Sequence, residues 1–238
     1  MMKRAFLIEA TVMAQYLRQL LPIGIIVAVA MTIGVGNVSA AASVFVMMAF
    51  MLSSVAMSAY DDMDNWGTFR LALPLSRRDV VLGRYAMVVV FACMAAVFGG
   101  VLVAAGWALS QTGVLPESVV SYVALDADGL QGSLFAVLFV SLFGSLIVGV
   151  SLPCFFKFGT TKATQYLPYI MIVVCGLFAG TMGALDGGAV MEQLKQVLAW
   201  FEEPSHLALG GAGMLVGAAV VLAVSAMVSL RLYEKRDL

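Results

Sequence analysis

The sequence predicts an all-α protein that crosses a membrane six times, and three observations indicate this fold: its composition, its uncharged stretches and the placement of its positive charge. Of the 238 residues, 62% are hydrophobic and only 11% are charged, whereas soluble domains average about 25% charged residues. Too few polar residues remain to cover so much apolar surface in water. The net charge of −1 gives no support for nucleic acid as a partner.

The amino terminus has the positive charge that opens many signal peptides, in Lys3 and Arg4. Glu9, Gln15 and Arg18 interrupt the stretch in which such a peptide needs a continuous apolar run. We therefore expect residues 1–18 to be retained.

Six spanning helices are predicted from the uncharged stretches, because a helix needs about 20 apolar residues to cross the hydrocarbon layer. The first stretch, 19–60, is twice that length, and Gly34 to Asn37 with Ser39 is the only turn-like cluster near its middle. That stretch is therefore predicted to fold back once. The predicted spans are about 19–36, 39–60, 85–110, 131–155, 166–184 and 207–230.

Positive charge is distributed unequally between the two sides that six spans define. Twelve of the thirteen lysine and arginine residues fall on the side of both termini, and only Lys195 falls opposite. Lysine and arginine accumulate in short cytoplasmic segments of membrane proteins. The sequence therefore predicts a multi-pass protein of a bacterial-type cytoplasmic membrane, with the N and C termini in the cytoplasm.

The connection 61–84, between the second and third spans, has the pattern of a docking surface. Asp64 suits the N-cap of a short helix that Pro74 would end, and Ser76 with Asp79 has the spacing of a capping box. Aromatic and arginine side chains are frequent anchors in interface pockets. The alternative is an amphipathic segment that lies on lipid headgroups. The predicted docking residues are Asp61, Trp66, Phe69, Arg70, Leu73, Pro74 and Arg77.

On the opposite side, segment 189–202 shows apolar residues at helical spacing, with polar residues between them. The apolar residues are Val190, Leu194, Val197, Leu198 and Phe201. The segment is predicted to be a short helix on the outer membrane face. A plain linker is the alternative.

Ionisable side chains are absent from the predicted spans. Ion-coupled carriers usually bind or relay their driving ion through such a group, so the sequence argues against an autonomous secondary transporter. There is no HExxH motif and a single histidine, His206, which argues against metalloprotease and Ser-His hydrolase chemistry. The three cysteines lie in apolar runs without metal-ligand spacing. No catalytic, cofactor or metal site is predicted.

Two glycine pairs have the four-residue spacing that lets helix backbones approach closely in membranes. They are Gly176 with Gly180 and Gly213 with Gly217. The pairs predict packing seams, within the bundle or between two subunits. A chance pattern in glycine-rich membrane helices is equally compatible with them.

One segment resembles a motif of the small, six-span ABC-2 type permeases, which has the pattern YDE…W…LPVSR…V…KY. The matching residues are Tyr60-Asp61, Trp66, Leu73-Pro74-Leu75-Ser76-Arg77-Arg78, Val81 and Tyr85. A second segment, Pro153 to Gly159, is similar to the family pattern P-x-x-F-K-F-G at the cytoplasmic end of the fourth span. It makes Phe156, Lys157, Phe158 and Gly159 a second cytoplasmic loop. Residues 3–18 resemble the family's amphipathic elbow helix.

The resemblance implies a permease subunit that pairs with itself or with a second permease around a central translocation path. It implies that 61–84 docks a separate ATP-binding cassette ATPase. The chain has no Gly-x-x-x-x-Gly-Lys-Ser/Thr phosphate loop, so ATP and magnesium are expected on that partner, and this chain is expected to hold no cofactor and to catalyse nothing alone. Implied substrates are hydrophobic or amphipathic: peptides, lantibiotic-like toxins, drugs or lipids.

Two other functions are compatible with the sequence. One is a membrane scaffold or assembly protein that transports nothing. The other is a channel or ion-coupled carrier, which would respond to ion gradients rather than to ATP.

Overall fold

Helices make up all the regular structure in the part of the chain that the structure describes. This computed structural model describes residues 2–35, 38–62, 66, 76–113, 116–123, 127–184, 192, 196, 199–201 and 203–235, and it gives 166–184 as backbone alone. The helices are α1 (Met2–Val35), α2 (Ser39–Asp62), α3 (Arg77–Ser110), α4 (Glu117–Val123), α5 (Ala127–Ala184) and α6 (Pro204–Glu234). The predicted all-α class is confirmed for this part.

Among the described residues, four helical segments are long and apolar enough to cross a membrane. They are Ala41–Asp61, Arg77–Ser110, Gly129–Gly159 and Pro204–Glu234. These segments coincide with the second, third, fourth and sixth predicted spans. The segment Arg77–Ser110 begins eight residues before the predicted start at 85, because the helix starts directly at the capping box. The short helix α4 is not among the predicted elements.

A bend divides α1 at the boundary between the predicted elbow helix and the first predicted span. The two halves, Lys3–Arg18 and Leu21–Gly34, are inclined by 58°, and Pro22 lies inside the helix. A proline offers no N–H to the carbonyl four residues earlier, here that of Arg18, and its ring presses against that carbonyl. That the first half lies along the membrane surface while the second half crosses it stays a prediction.

The fourth and fifth predicted spans are both part of α5. Its only break in helical backbone is Gly159, with φ 75° and ψ 172°, a positive φ that glycine adopts readily because it has no Cβ. The predicted loop therefore reduces to a kink between two helical segments. The backbone is helical across the predicted fifth span, 166–184, and its passage through the membrane stays a prediction.

Helix α2 lies at the centre of the bundle. In its most apolar 18-residue window 61% of residues are buried, compared with 28%, 28% and 22% in the other three candidate spans. It packs against α1, α3 and α5, and α5 packs in turn against α6. The contact with α3 is close: a Cβ placed on Gly99 would lie 2.6 Å from the Cα of Ala42.

The bundle has two distinct ends. At one end, α2 and α6 finish and α3 begins; we call it the charged end, and define it by Glu9, Asp61 and Arg84. At the other, α2 begins beside α4, where the Val38 N–H donates to the Tyr122 carbonyl at 2.8 Å. We call this second end, which also includes Trp107 and Ser133, the apolar end.

Candidate functional site

A buried arginine joins three helices at the charged end. The side chain of Arg84, on α3, is 1% exposed. Its Nη2 donates to Glu9 Oε1 on α1 at 3.1 Å and to Asp61 Oδ2 on α2 at 2.7 Å. The Glu9 side chain is 4% exposed and that of Asp61 19%. A guanidinium presents several donors in a fixed plane, which lets this one group bind two carboxyl groups.

Phe156 closes the cluster from the side of α5. The guanidinium carbon of Arg84 lies 5.1 Å from the centroid of the Phe156 ring, within the range of a cation–π interaction. The same ring lies 5.2 Å from the Tyr233 ring on α6. Phe156 is therefore a buried contact between the charged cluster and α6, within a helix rather than in an open loop.

The start of α3 is fixed by its own cap and by the end of α6. Ser76 Oγ accepts from the Asp79 N–H at 3.1 Å, and Asp79 Oδ2 accepts from the Ser76 N–H at 3.2 Å, so the predicted capping box is confirmed. Arg77 Nη1 donates to the carbonyl oxygens of Tyr233 and Glu234 at 2.8 and 2.9 Å. A cation at the last carbonyls of a helix also complements the helix dipole.

A second polar contact lies one residue after Arg84. The Tyr85 hydroxyl is 2.5 Å from Ser225 Oγ and 2.9 Å from Ser229 Oγ on α6, and Ser225 Oγ also donates to the Gly149 carbonyl on α5 at 2.7 Å. All three side chains are buried. This network connects α3, α5 and α6 where water does not compete for their hydrogen bonds.

The predicted docking segment is described at its two boundaries. Asp61 is bound to Arg84, Arg77 is bound to the end of α6, and the Trp66 ring lies 5.8 Å from the Tyr60 ring in an edge-to-face arrangement. Phe69, Arg70, Leu73 and Pro74 lie outside the described residues. Their role in docking stays a prediction.

The remaining residues of the second motif differ in exposure. Lys157 is exposed, and its Nζ lies 4.9 Å from the ring of Phe158, which is also exposed. Gly159 is buried and forms the kink. Lys157 and Phe158 are thus the members of this motif that a partner can reach.

The predicted packing glycines have few neighbours in the described part of the chain. A Cβ on Gly213 would meet nothing within 4 Å, and one on Gly217 would lie 3.4 Å from Leu142. Gly176 and Gly180 fall in the stretch given as backbone alone. Other glycines in the described part of the chain are approached more closely, among them Gly99 and Gly211, where a Cβ would lie 2.6 Å from Ala42 and 2.7 Å from Leu138. A seam with a second subunit stays a prediction.

The end of the predicted outer helix 189–202 packs on the start of α6. The His206 ring stacks on Trp200 with centroids 4.4 Å apart, and the Phe201 ring lies 4.8 Å from Phe135 on α5. Residues 192, 196 and 199–201 are helical. Most of this segment lies outside the described residues, so its position on the membrane stays a prediction.

Neither the Arg84 cluster nor the Tyr85 network is among the predicted features. In the sequence, Glu9 interrupts an apolar run and Arg84 is the last residue of the connection 61–84. One signal was available: Asp61 and Arg84 have opposite charge and flank one connection, at the facing ends of adjacent spans. The partner on α1 could not be found in this way, because Glu9 is 75 residues from Arg84 in the chain.

An apolar helical bundle with several candidate spans, whose buried ion pairs gather at one end, defines a multi-pass membrane protein. A family model described as ABC-2 family transporter protein matches residues 3–234, nearly the whole chain. The chain therefore belongs to the ABC-2 transporter family, as its two motifs predict. No curated protein and no solved structure matches it.

Proposed function

We propose that this chain is the permease subunit of an ATP-driven exporter, and that a separate ATPase docks on the segment between α2 and α3. The observation that supports this proposal best is the anchoring of that segment at both boundaries. Asp61 precedes it and is bound to Arg84, and Arg77 follows it and is bound to the last carbonyls of α6. A force that the docked ATPase exerts on this segment would therefore be transmitted to α2, α3 and α6 together.

The Arg84 cluster extends this coupling to α1. Arg84 binds Glu9 on α1 and lies over Phe156 on α5, so the ion pairs and the ring contact join α1, α2, α3 and α5. Packed helices with such contacts move as rigid bodies rather than deforming continuously. Closure of an ATPase dimer beneath two such subunits would thus tilt the bundles and change the side to which the path opens.

The proposed sidedness places this segment in the cytoplasm, where ATP is available. It is supported by the lysine and arginine distribution, with twelve of thirteen on one side. Lys157, exposed beside the kink of α5, lies on the same side and offers a second contact to the ATPase.

The proposed substrate is hydrophobic or amphipathic, and the translocation path lies between two permeases. Helix α1 presents an apolar face in its second half, with Ile26 and Ile33 68% and 62% exposed. Lipid or a second permease can cover such a face in a membrane. Membership of the ABC-2 family supports the pairing of two permeases, identical or different.

Copurification tests the docking surface directly. In a strain that expresses the tagged chain with its ATPase, we expect Trp66→Ala with Phe69→Ala to remove more than about 90% of the copurified ATPase, because interface aromatics can each contribute ~2 kcal/mol. Trp200→Ala is the matched control, since it removes an exposed tryptophan at the apolar end. Full ATPase recovery with the double variant, while its elution profile stays that of wild type, would show that docking occurs elsewhere.

An ion-coupled carrier is the second candidate, because Glu9 and Arg84 are buried ionisable groups and Arg84 lies inside the candidate span Arg77–Ser110. Such groups often mark ion pathways. Transport in proteoliposomes separates the two. An exporter stops when ATP hydrolysis is blocked and continues when an ionophore dissipates the proton and sodium gradients. A carrier shows the reverse, and a scaffold shows no transport in either condition.

A further inference from the structure

A cavity of about 690 Å³ opens between α2, α3 and α5 at the apolar end. Its volume falls within the range of small-molecule sites, about 300–1,000 Å³. Helix α3 contributes Gly100, Val103 and Trp107 to its lining, and α5 contributes Ser133 and Leu134. The cavity is far from the charged end and plays no part in the proposed docking.

The cavity walls are almost entirely hydrocarbon. Its lining consists of alanine, valine, leucine and glycine apart from Trp107 and Ser133, and it includes no charged residue. Above Gly100 the space is open, because a Cβ on this residue would meet no atom within 4 Å. Such a wall accommodates an alkyl chain. It offers an ion no polar group that would offset the free-energy cost of its desolvation.

Ser133 is the one hydroxyl in this lining, and it has an unmet hydrogen bond. The residue is 6% exposed, and among the described residues Oγ has no hydrogen-bond partner. A buried polar group without a partner is rare and destabilising. The hydroxyl can turn toward a ligand in the cavity without breaking an existing hydrogen bond.

The position of Ser133 along α5 restricts the chemistry of that ligand. It lies six residues after Ala127, about 9 Å along the helix at 1.5 Å per residue. The headgroup layer of each leaflet is about 5–8 Å thick. With the start of α5 placed at the membrane surface, Ser133 falls near the depth at which acyl chains join their glycerol esters. Trp107 lies three residues before the end of α3, and tryptophans gather near the ends of spanning helices in membrane proteins.

We infer that the cavity binds one acyl chain of a membrane phospholipid, from the leaflet at the apolar end, and that the Ser133 hydroxyl donates to the ester carbonyl of that chain. The uncharged lining makes the site insensitive to the headgroup. A second copy of the chain is the alternative occupant, and the variants below separate it from lipid.

Lipid titration of the purified chain, followed by native mass spectrometry, tests this assignment without ATP or the ATPase. The probes are two phosphatidylcholines of equal chain length, one with ester linkages and one with ether linkages, which lack the carbonyl. Wild type should bind the ester lipid roughly fivefold more tightly, which is the factor that one hydrogen bond contributes. Ser133→Ala should reduce binding of the ester lipid to the level of the ether lipid.

A cavity-filling variant tests the binding site independently of Ser133. Gly100→Phe places a ring in the open space and should weaken binding of both lipids by tenfold or more. Gly132→Phe is the matched control, because a Cβ at Gly132 also meets nothing within 4 Å while this glycine lies outside the cavity lining. Its lipid affinities should equal those of wild type.

Three results would overturn the inference. The first is equal affinity of wild type for the ester and the ether lipid. The second is a preference for the ester lipid that survives in Ser133→Ala. Neither measurement requires Gly100→Phe to fold. The third is lipid binding that Gly100→Phe leaves unchanged while it converts a dimer to monomers, which would assign the cavity to a second copy of the chain.

Discussion

At the charged end, Arg84 binds Glu9 and Asp61, and Arg77 binds the carbonyls that end α6. At the apolar end, α2 and α3 meet through the close packing of Ala42 on Gly99, and a cavity separates parts of α3 and α5. The same helices are therefore joined by directional polar contacts at one end and by van der Waals packing at the other.

This difference indicates how the bundle can be rigid and adaptable at once. Ion pairs and hydrogen bonds fix the relative position and rotation of helices, because each bond has a required geometry. Apolar packing between small residues permits close approach but leaves space when neighbouring side chains diverge. We expect substitutions at the charged end to affect stability more than those at the apolar end.

The largest expected effect is that of Arg84→Ala. It leaves the buried carboxyl group of Glu9 and the partly exposed one of Asp61 without their guanidinium, and removal of one partner from a buried ion pair costs about 3–5 kcal/mol. Unfolding in mixed detergent and SDS micelles measures the change. Arg78→Ala removes an exposed arginine that lies six residues earlier in α3, and it should change the unfolding free energy little. Equal effects of the two variants would refute the structural role of the cluster.

An intermediate effect is expected of Gly99→Ala. The added methyl group meets the Ala42 backbone at 2.6 Å, so α2 and α3 must separate, and overpacking of this kind costs about 1–3 kcal/mol. Gly100→Ala, one residue later, meets open space and should stabilise the helix slightly, by about 0.5–1 kcal/mol. The test is that the two variants change the unfolding free energy in opposite directions. The same SDS unfolding measurement reports both changes. If both variants were destabilised by a similar amount, the close approach of the Ala42 backbone would not be the reason for a glycine at position 99.

The smallest effect is expected of Tyr85→Phe. It removes the hydroxyl that binds Ser225 and Ser229, and a hydrogen bond within a membrane contributes about 0.6 kcal/mol on average. We expect a loss of about 1 kcal/mol, since Ser225 keeps its bond to the Gly149 carbonyl. Tyr122→Phe, at an exposed tyrosine, is the control. No difference between the variants would indicate that the network is dispensable.

Much of the helix arrangement could be predicted because the bilayer imposes it. Uncharged length sets the spans, and α2 and α6 begin and end within a few residues of the predicted positions. The continuity of α5 could not be predicted in this way. Lys157 and Lys162 indicate a departure from the hydrocarbon layer, but they do not determine whether the chain leaves as a loop or as a kinked helix.

The charged cluster could be predicted only in part. A charge at the end of a span has the same appearance in the sequence whether it is solvated or paired, so the burial of Arg84 was not apparent. Its contact with Glu9 depends on the bend of α1, which Pro22 and the packing of Ala5 near Gly83 determine together. Ser133 gave no signal, because an unmet hydrogen bond is a property of its surroundings.

The hydrogen bonds from Arg77 to the last carbonyls of α6 have a practical consequence for labelling this protein. A fluorescent protein or affinity tag attached just after α6 therefore starts close to the first turn of α3. Such a fusion would crowd the surface proposed for the ATPase. An assay of complex assembly therefore needs a long flexible linker between α6 and the tag.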